Sequence, residues 1–336
     1  MSTRVLVPQR VSARAPAADS RIDRFAGRGM GCPWSVTWVD EGRIDRGRVQ
    51  AGIEAVLARV IEQMSTWEPQ SLISRFNHAA PGSWLPLPLD FALVLGCALQ
   101  VARASDGALD PTSGELVSLW GFGASGRHHE PGFSMPQPEQ VTAALQRCGW
   151  RRLQVDTAAM RLHQPGGLQL DLSAVAKGFA VDEVGRFLRS EGITHHLVDI
   201  GGELRGAGMK PDGQPWWVQV QLPPGAEAIL PTRIALHGLS VATSGDYLQA
   251  FSTAGRRYSH CIDPRSGYPV DNGVCAVTVL HAECMLADAW STALMVLGAR
   301  AGMAVAETEK LAAQWIERVD GGVVEHCSSA FRALIA

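Results

Sequence analysis

The feature that most constrains the fold is an apolar segment in the last sixth of the chain, LADAWSTALMVLG, residues Leu286–Gly298. Two polar residues within it, Asp288 and Thr292, are four positions apart, so on a helix they share one face. A carboxylate and a hydroxyl on a mostly buried helix need polar partners. Both are hard oxygen ligands of the kind Mg²⁺ takes, often few in number and completed by water and substrate phosphates. The segment therefore predicts a buried helix that supplies magnesium ligands.

Two further polar clusters precede this segment, ATSGDY (Ala242–Tyr247) and YSHCIDPRSGYPV (Tyr258–Val270). His260 in the second cluster is a candidate general base, because an unperturbed imidazole has a pKa of about 6.5. The alternative is a structural histidine bonded to a backbone carbonyl. Residues 263–267, DPRSG, have the composition of a tight turn, which is compatible with either interpretation.

A third candidate is LDLSAVAKGFAVDEV, Leu170–Val184. Asp171 ends a strand-like run, and Lys177 follows one turn into the predicted helix. A helix N-terminus attracts anions, and a nearby lysine adds a positive charge, so the segment is a candidate phosphate site. The alternative is an aspartate that caps the helix and a lysine on the surface.

The periodicity of the chain predicts an α+β fold, because short strands alternate irregularly with helices. Helices are predicted at 52–64, 91–104, 138–148, 173–190, 285–297 and 301–310, and strands at 34–39, 153–156, 161–163, 168–172, 196–200, 216–222, 233–241 and 274–280. A chain of 336 residues could form one large domain or two lobes.

Composition and charge narrow the class of protein. The chain is 46% hydrophobic and 19% charged with a net charge of −3, which is typical of a soluble globular protein and gives no reason to expect nucleic-acid binding. Seven cysteines without a CxxC pair do not indicate a disulfide framework or a zinc site.

Residues 1–27 are predicted to be a disordered tail without an export signal, and no apolar run is long enough to span a membrane. A cytoplasmic location is expected, with export by an unrecognised route as the alternative.

Four further motifs are GMGCPWSV (Gly29–Val36), MSTWEPQSLISRFN (Met64–Asn77), DGALDPTSGELVSLWGFG (Asp106–Gly123) and LVDIGGELRGAG (Leu197–Gly208). Together with the four segments above, in order from about residue 28 to about residue 300, they resemble the ApbE family of flavin transferases, which move FMN from FAD onto a protein. The resemblance implies one domain over residues 28–336, with antiparallel sheets flanked by helices in an architecture related to the T-fold.

The resemblance also implies roles for individual residues. His260 would activate the acceptor hydroxyl, and Mg²⁺ would bind the backbone carbonyl of Ala174 and the side chains of Asp288 and Thr292. Trp67 would stack on the isoalloxazine ring of the flavin, although a core tryptophan is the alternative. The FAD-binding residues implied are Met30, Trp67, Ala108, Leu109, Asp110, Asp171, Lys177 and Ile262. Leu109 and Cys261 stand where the family more often has phenylalanine and isoleucine. The Ser244–Asp246 segment would either shape the phosphate loop or be structural only.

The predicted function is Mg²⁺-dependent transfer of FMN from FAD to a threonine of a client flavoprotein through a phosphoester, with release of AMP. Family acceptors carry a D/S-G-x-S/T-x-T motif, which is absent from this chain, so self-modification is not expected. Two alternatives stay open. Water could replace the threonine, which would make the protein an FAD pyrophosphatase. A weakened metal site would leave an FAD-binding or flavin-carrier protein.

Overall fold

A computed structural model describes residues 3–8, 14–42 and 44–336. The helices are α1 Arg46–Met64, α2 Leu72–Asn77, α3 Leu89–Ala104, α4 Gly114–Leu119, α5 Pro138–Arg147, α6 Ser173–Ser190, α7 Cys284–Thr308 and α8 Ser329–Arg332, with a 3-10 turn at Trp150–Arg152. The strands are β1 Arg4–Leu6, β2 Arg21–Gly29, β3 Cys32–Asp40, β4 Trp84–Pro86, β5 Gln154–Asp156, β6 Arg161–His163, β7 His196–Ile200, β8 Glu203–Ala207, β9 Trp216–Gln219, β10 Thr232–Leu236, β11 Leu239–Gly245, β12 Ala250–Thr253, β13 Arg256–Ser259, β14 Ile262–Asp263, β15 Tyr268–Pro269, β16 Val274–His281, β17 Ala312–Val319 and β18 Gly322–Cys327.

The main structural element is an antiparallel sheet that, among the described residues, has eight strands in the order β18-β17-β16-β11-β8-β7-β3-β2. One face is covered by α6, which packs over β7 and β8, and by α7, which packs over β11 and β16. Helices α1 and α3 pack against α6 and α7 from outside. The expected α+β class, with antiparallel sheets and flanking helices, is therefore confirmed.

The opposite face carries a smaller sheet of strands β1, β10 and β9. A second apolar cluster lies there, in which Leu6, Trp216 and Ile234 of the small sheet join Val241 and Leu280 of the large sheet. Strand β11 thus contributes Val241 to this cluster and Ala242 to the core under α7. Alternation along the strand directs its next even-numbered residue, Ser244, toward α7.

The predicted disordered tail, residues 1–27, is wrong for two stretches of that range. Arg4–Leu6 pairs in parallel with β10, and Arg21–Gly29 pairs along its whole length with β3. Strand β2 is rich in charged residues because it is the edge of the sheet, where one strand neighbour is enough and charge guards against further pairing. Residues 1, 2 and 9–13 of the predicted tail lie outside the described residues.

The helix predicted at 173–190 is confirmed, and the one at 52–64 begins earlier, at Arg46, because the Asp45 side chain accepts bonds from the N–H groups of Gly47 and Arg48. The single strand predicted at 233–241 is wrong. It is two strands in different sheets, separated by a turn in which Gly238 has φ +67°. The predicted strand at 168–172 is reduced to one bridge, between Gln169 and Ser113.

Helix α7 is long and apolar enough, by length and composition alone, to meet the usual criteria for a membrane span. Its buried residues nevertheless pack on the sheet and on α6, as in the central helix of a folded domain. Gly298 interrupts it with φ +78° and ψ +171°, so the two helices predicted at 285–297 and 301–310 correspond to its two halves.

Candidate active site

The centre of the site is the carboxylate of Asp288, which reaches from α7 to the first turns of α6. Its Oδ2 accepts a hydrogen bond of 3.0 Å from the backbone N–H of Gly178. In an α-helix that N–H points toward the carbonyl four residues earlier, here Ala174. The Asp288 carboxylate is therefore brought beside the Ala174 carbonyl. Asp288 is only 4% exposed, and burial raises its pKa above the usual range even though Lys177 opposes this shift.

Two contacts hold α7 this close to α6. A side chain at Gly178 would place its Cβ 2.4 Å from the carbonyl oxygen of Cys284, so only glycine permits the approach. Asp182, one turn further along α6, accepts hydrogen bonds from the N–H groups of Cys284 (3.1 Å) and Met285 (2.9 Å) and so caps α7. Arg205 of β8 forms an ion pair with the same carboxylate. Asp182 and Arg205 position the site without being part of it, and neither was predicted from the sequence.

Hydroxyl groups line the side of the site next to β11. Ser244 Oγ lies 3.1 Å from Thr292 Oγ1 and 2.8 Å from Ser291 Oγ. Thr292 and Asp288 are one helical turn apart on the same face, as their spacing predicted. Ser244 is thus in contact with a predicted metal ligand, which favours a role at the site for the Ser244–Asp246 segment over a purely structural one.

Lys177 interacts with the charge of Asp288 and with that of a second carboxylate, Glu203, which was not predicted from the sequence. Its Nζ is 2.5 Å from Oε1 of Glu203, the first residue of β8. Burial alone would lower the pKa of Lys177, but the carboxylates of Glu203 and Asp288 outweigh it, and the pKa is raised. Burial raises the pKa of Glu203 to about 7 against the opposing effect of Lys177. Lys177 is therefore a fixed positive charge at any pH near neutrality.

Asp171 lies just before α6, as predicted, and its Oδ1 accepts a 2.8 Å bond from the N–H of Ser173. Asp171 therefore caps the helix through Oδ1, as the structural alternative predicted. This bond does not occupy Oδ2, so a contact with ligand is still compatible with the geometry.

Met30 lies at the tip of the β2–β3 hairpin with φ +53°, followed by Gly31 with φ +75°. Consecutive positive φ values define the turn type in which asparagine and glycine are preferred, and a methionine there is strained. The hairpin end lies close to Lys177, because Cys32 is within electrostatic range of the lysine ammonium. Strain of this kind persists where a side chain is needed for function, which supports the predicted contact of Met30 with ligand.

Replacing Met30 with asparagine is expected to leave the free energy of unfolding unchanged or to raise it by about 1 kcal/mol, while FAD binding weakens. Urea denaturation and a fluorescence titration with FAD measure the two effects. Met160 is a matched control, since it also has positive φ (+46°) but is exposed in a turn among strands β4, β5 and β6. Met160→Asn should stabilise the fold without changing FAD affinity. A loss of stability in Met30→Asn would contradict the strain argument.

Trp67 is not a core tryptophan, because 55% of its surface is exposed. It lies between α1 and α2, and the guanidinium of Arg127 is 5.0 Å from the centroid of its ring. An exposed aromatic face of this size is suited to stacking on a flavin. The contact of Arg127 with Trp67 was not predicted, because the 124–137 loop lacks the apolar periodicity from which the positions of side chains can be inferred.

The run Ala108–Asp110 does not present free side chains. Ala108 and Leu109 are 1% and 5% exposed. Both carboxylate oxygens of Asp110 are used internally, Oδ1 by the N–H and hydroxyl of Thr112 and Oδ2 by the N–H of Trp150. In the structure these bonds stabilise the loop, and the predicted contacts of Ala108, Leu109 and Asp110 with FAD stay predictions.

His260 is half-buried between β13 and β14, and its Nδ1 lies 3.0 Å from the carbonyl oxygen of Gln249. A carbonyl can only accept, so Nδ1 carries the proton and Nε2 is left as the base. Nε2 is 3.9 Å from the Cys261 thiol. Burial lowers the pKa of His260, but Cys261 and the Gln249 carbonyl more than offset it, and the pKa is raised. The structural role predicted as the alternative for His260 therefore applies to Nδ1, which bonds a backbone carbonyl, but not to Nε2.

Ile262, predicted to line the flavin site, is 7% exposed and packs in a small cluster with Leu116 and Trp120. Its side chain supports the β14–β15 turn. Among the predicted residues, Asp288 and His260 lie within reach of the Lys177 charge, which also acts on Glu203. Arg127, which contacts the Trp67 ring, and Gln249, whose carbonyl accepts the bond from His260, both line a cavity of about 470 Å³.

A larger cavity, about 1500 Å³, lies on another part of the molecule, where residues 14–21 meet the β3–α1 connection and the ends of β7 and β8. It holds none of the predicted site residues and is not the candidate site.

Metal binding at the site fits its chemistry. Within residues 3–8, 14–42 and 44–336, no three His, Cys, Asp or Glu side chains gather into a metal-binding group. A cation beside Asp288 would therefore take one carboxylate, one hydroxyl and one carbonyl and complete its shell with water and phosphate oxygens. This set is typical of Mg²⁺ rather than of zinc or copper.

Comparison with known proteins gives consistent results. Residues 30–315 match the model of the ApbE family. The chain is 36% identical over 313 residues to an FAD:protein FMN transferase of Vibrio cholerae, covering 93% of this chain and 92% of that protein. It is 35% identical to an FAD:protein FMN transferase of Haemophilus influenzae, covering 98% and 96%. The crystal structure of the flavinyl transferase ApbE from Pseudomonas stutzeri in its apo form superposes with a TM-score of 0.85 at 37% identity, covering 94% of this chain and 97% of that one.

Proposed function

The chain belongs to the ApbE family, and from that premise we propose that it is an FAD:protein FMN transferase that attaches flavin to a client protein. One observation carries this proposal: the Asp288 carboxylate accepts a hydrogen bond from the Gly178 N–H. It therefore lies beside the Ala174 carbonyl, and it also interacts with the charge of Lys177. Oxygen ligands for a divalent cation and a fixed positive charge thus meet at one helix end, where a diphosphate can bind.

Mg²⁺ bound by Ala174, Asp288 and Thr292 would supply positive charge to the diphosphate of FAD. Lys177 would bind the same phosphate oxygens and stabilise the charge that develops on them in the transition state. The first turn of α6 and the unused Oδ2 of Asp171 would complete the binding of the nucleotide. Trp67 and Met30 would hold the flavin ring.

His260 would accept the proton of a client threonine at Nε2 as the hydroxyl oxygen attacks the phosphorus of the FMN moiety. The bond that forms is a phosphoester between threonine and FMN. The bond that breaks is the phosphoanhydride, and AMP leaves with the bridging oxygen. The Gln249 carbonyl keeps the proton on Nδ1, so that Nε2 stays available.

The cytoplasmic location and the relation of the fold to the T-fold are parts of this proposal that rest on the sequence and on the resemblance alone. The client is defined here by its chemistry, an exposed threonine in a D/S-G-x-S/T-x-T segment.

The proposal is tested by incubating the protein with FAD, Mg²⁺ and a small domain that bears this acceptor segment. We expect flavin fluorescence on the client band of a denaturing gel, and AMP in equal amount. Replacing the acceptor threonine with alanine should abolish the labelled band. AMP release that is rapid and independent of the client, with no labelled band, would instead identify an FAD pyrophosphatase. Bound FAD with neither product would identify a flavin carrier.

A further inference from the structure

Resting on the proposed function, we propose that Glu203 is a positioning residue that controls the charge available to FAD: it holds Lys177 in an ion pair until a cation and the diphosphate arrive. Glu203 follows the turn at Gly201 and Gly202 and is 3% exposed. Its Oε1 lies 2.5 Å from Lys177 Nζ. The Lys177 side chain is 30% exposed, so solvent or a ligand can reach the lysine of this ion pair, whereas the Glu203 carboxylate is buried.

The second oxygen of Glu203 distinguishes this pair from an ordinary structural ion pair. Oε2 is buried and, within the part of the chain that the structure describes, has no hydrogen-bond partner. A buried carboxylate oxygen without a partner is costly and is rarely found unless a ligand completes it. Oε2 lies 3.5 Å from where a Cβ of Gly201 would be, and the same Cβ would be 2.8 Å from the Cys32 thiol, so Oε2 faces the tip of the β2–β3 hairpin, where Met30 lies.

Charge balance explains what the pair does. Lys177 forms its ion pair with Glu203 and lies next in the chain to Gly178, whose N–H binds Asp288, and at a pH above the raised pKa values of both acids the three side chains sum to −1. A diphosphate brings about two negative charges, so this cluster repels it until a divalent cation changes the sum to +1. Glu203 thereby makes FAD binding depend on the cation and keeps the lysine from trapping AMP or FAD in its absence.

Glu203→Gln keeps the shape of the side chain and removes its charge, so the cluster sums to zero. Without a divalent cation, FAD should bind about tenfold more tightly than to the wild type, because one repelling charge is lost and Lys177 is free to contact phosphate. The divalent cation should bind about tenfold more weakly. Opposite shifts in the two affinities distinguish the proposal from a structural role, which would weaken both.

The experiment measures FAD affinity by fluorescence titration in EDTA, and Mn²⁺ affinity by the loss of the free-ion signal in electron paramagnetic resonance. A matched control is Glu325→Gln, which breaks the ion pair of Glu325 with Arg4 (2.5 Å) at the edge of the large sheet remote from Lys177. It should change neither affinity. In a Lys177→Met background, Glu203→Gln should give a smaller gain in FAD affinity than in the wild type, which shows that the two side chains act together.

Unchanged affinities in Glu203→Gln, or weakening of both, would overturn the proposal. If Glu203→Gln does not fold, Glu203→Asp tests the proposal instead, because it keeps the charge. FAD binding to Glu203→Asp should depend on the cation as it does in the wild type. Loss of that dependence would contradict the proposed role of the Glu203 charge. These measurements need no transfer to occur. A wild-type protein that binds FAD but shows no shift in the variants overturns the role of Glu203 only, whereas one that does not bind FAD overturns the proposed function as well.

Discussion

Replacing Asp288 with asparagine is expected to lower the rate of FMN transfer by about 10²–10³-fold, which is the usual loss when a group that stabilises charge in the transition state is removed. The amide oxygen can still accept the bond from the Gly178 N–H, so the contact between α6 and α7 is kept. What is lost is the negative charge that would hold the cation beside the Ala174 carbonyl. The gel assay with the client measures the rate, and EDTA should reproduce the effect in the wild type.

The same substitution should not destabilise the metal-free protein. Because burial raises the Asp288 pKa, the ionised form opposes folding, and stability is lost as the pH rises through that raised pKa. At neutral pH in EDTA, Asp288→Asn should therefore be at least as stable as the wild type. Mg²⁺ should raise the Tm of the wild type but not that of the variant. Asp271→Asn, at an exposed position, is the control and should change nothing. A variant that transfers FMN at the wild-type rate would show that the metal site is elsewhere.

The second large effect is expected from His260→Ala, which should reduce transfer to the client by about 10²-fold or more, the usual contribution of a general base. Threonine needs such a base, whereas water activated by a cation depends on it less, so any slow FAD hydrolysis should fall far less. FAD affinity should stay the same, since the base acts on the acceptor. His129→Ala is the control, because His129 is exposed in the 124–137 loop. Equal losses of transfer and hydrolysis would contradict the assignment.

The pH dependence of transfer gives an independent check on His260. A base must be unprotonated, so activity should rise with pH through the pKa of His260. Because that pKa is raised, the acid limb of the kcat/KM profile should lie above the ordinary value of about 6.5. Cys261→Ala removes one cause of the increase and should move the limb to lower pH. An acid limb below 6 in the wild-type protein would be incompatible with this environment.

Much of the site could be predicted from the sequence where the signal is local. The four-residue spacing of Asp288 and Thr292 is sufficient to place both on one face of a helix, and the structure confirms that helix. The contact of Thr292 with Ser244 was not predicted. Helix α6 was predicted to the residue, because its apolar period and its boundaries are features of consecutive residues. The roles of Met30, Trp67 and Ala174 came from the resemblance to the family and remain predictions.

The rest depended on contacts between residues far apart in the chain. Glu203 pairs with Lys177 across 26 positions, and nothing in the GGEL sequence indicates that the carboxylate is buried or that one oxygen lacks a partner. Strand β2 was mistaken for tail, because an edge strand is recognised by its neighbour β3 rather than by its own composition. The bond from the Trp150 N–H to Asp110 spans 40 positions and could not be predicted from the sequence, and the contact of Asp110 with FAD stays a prediction.

The sequence by itself therefore determined the longer helices, the polar face of α7 and, through its ordered motifs, the family. The tertiary structure alone decided which charges face one another: that Gly178 allows α7 to approach α6, that Asp288 consequently reaches the first turns of α6, and that Glu203 closes the opposite side of Lys177. The physical reason is that periodicity and capping depend on neighbours within one or two turns, whereas burial, pKa and ion pairing depend on whichever residues the fold brings within a few ångströms.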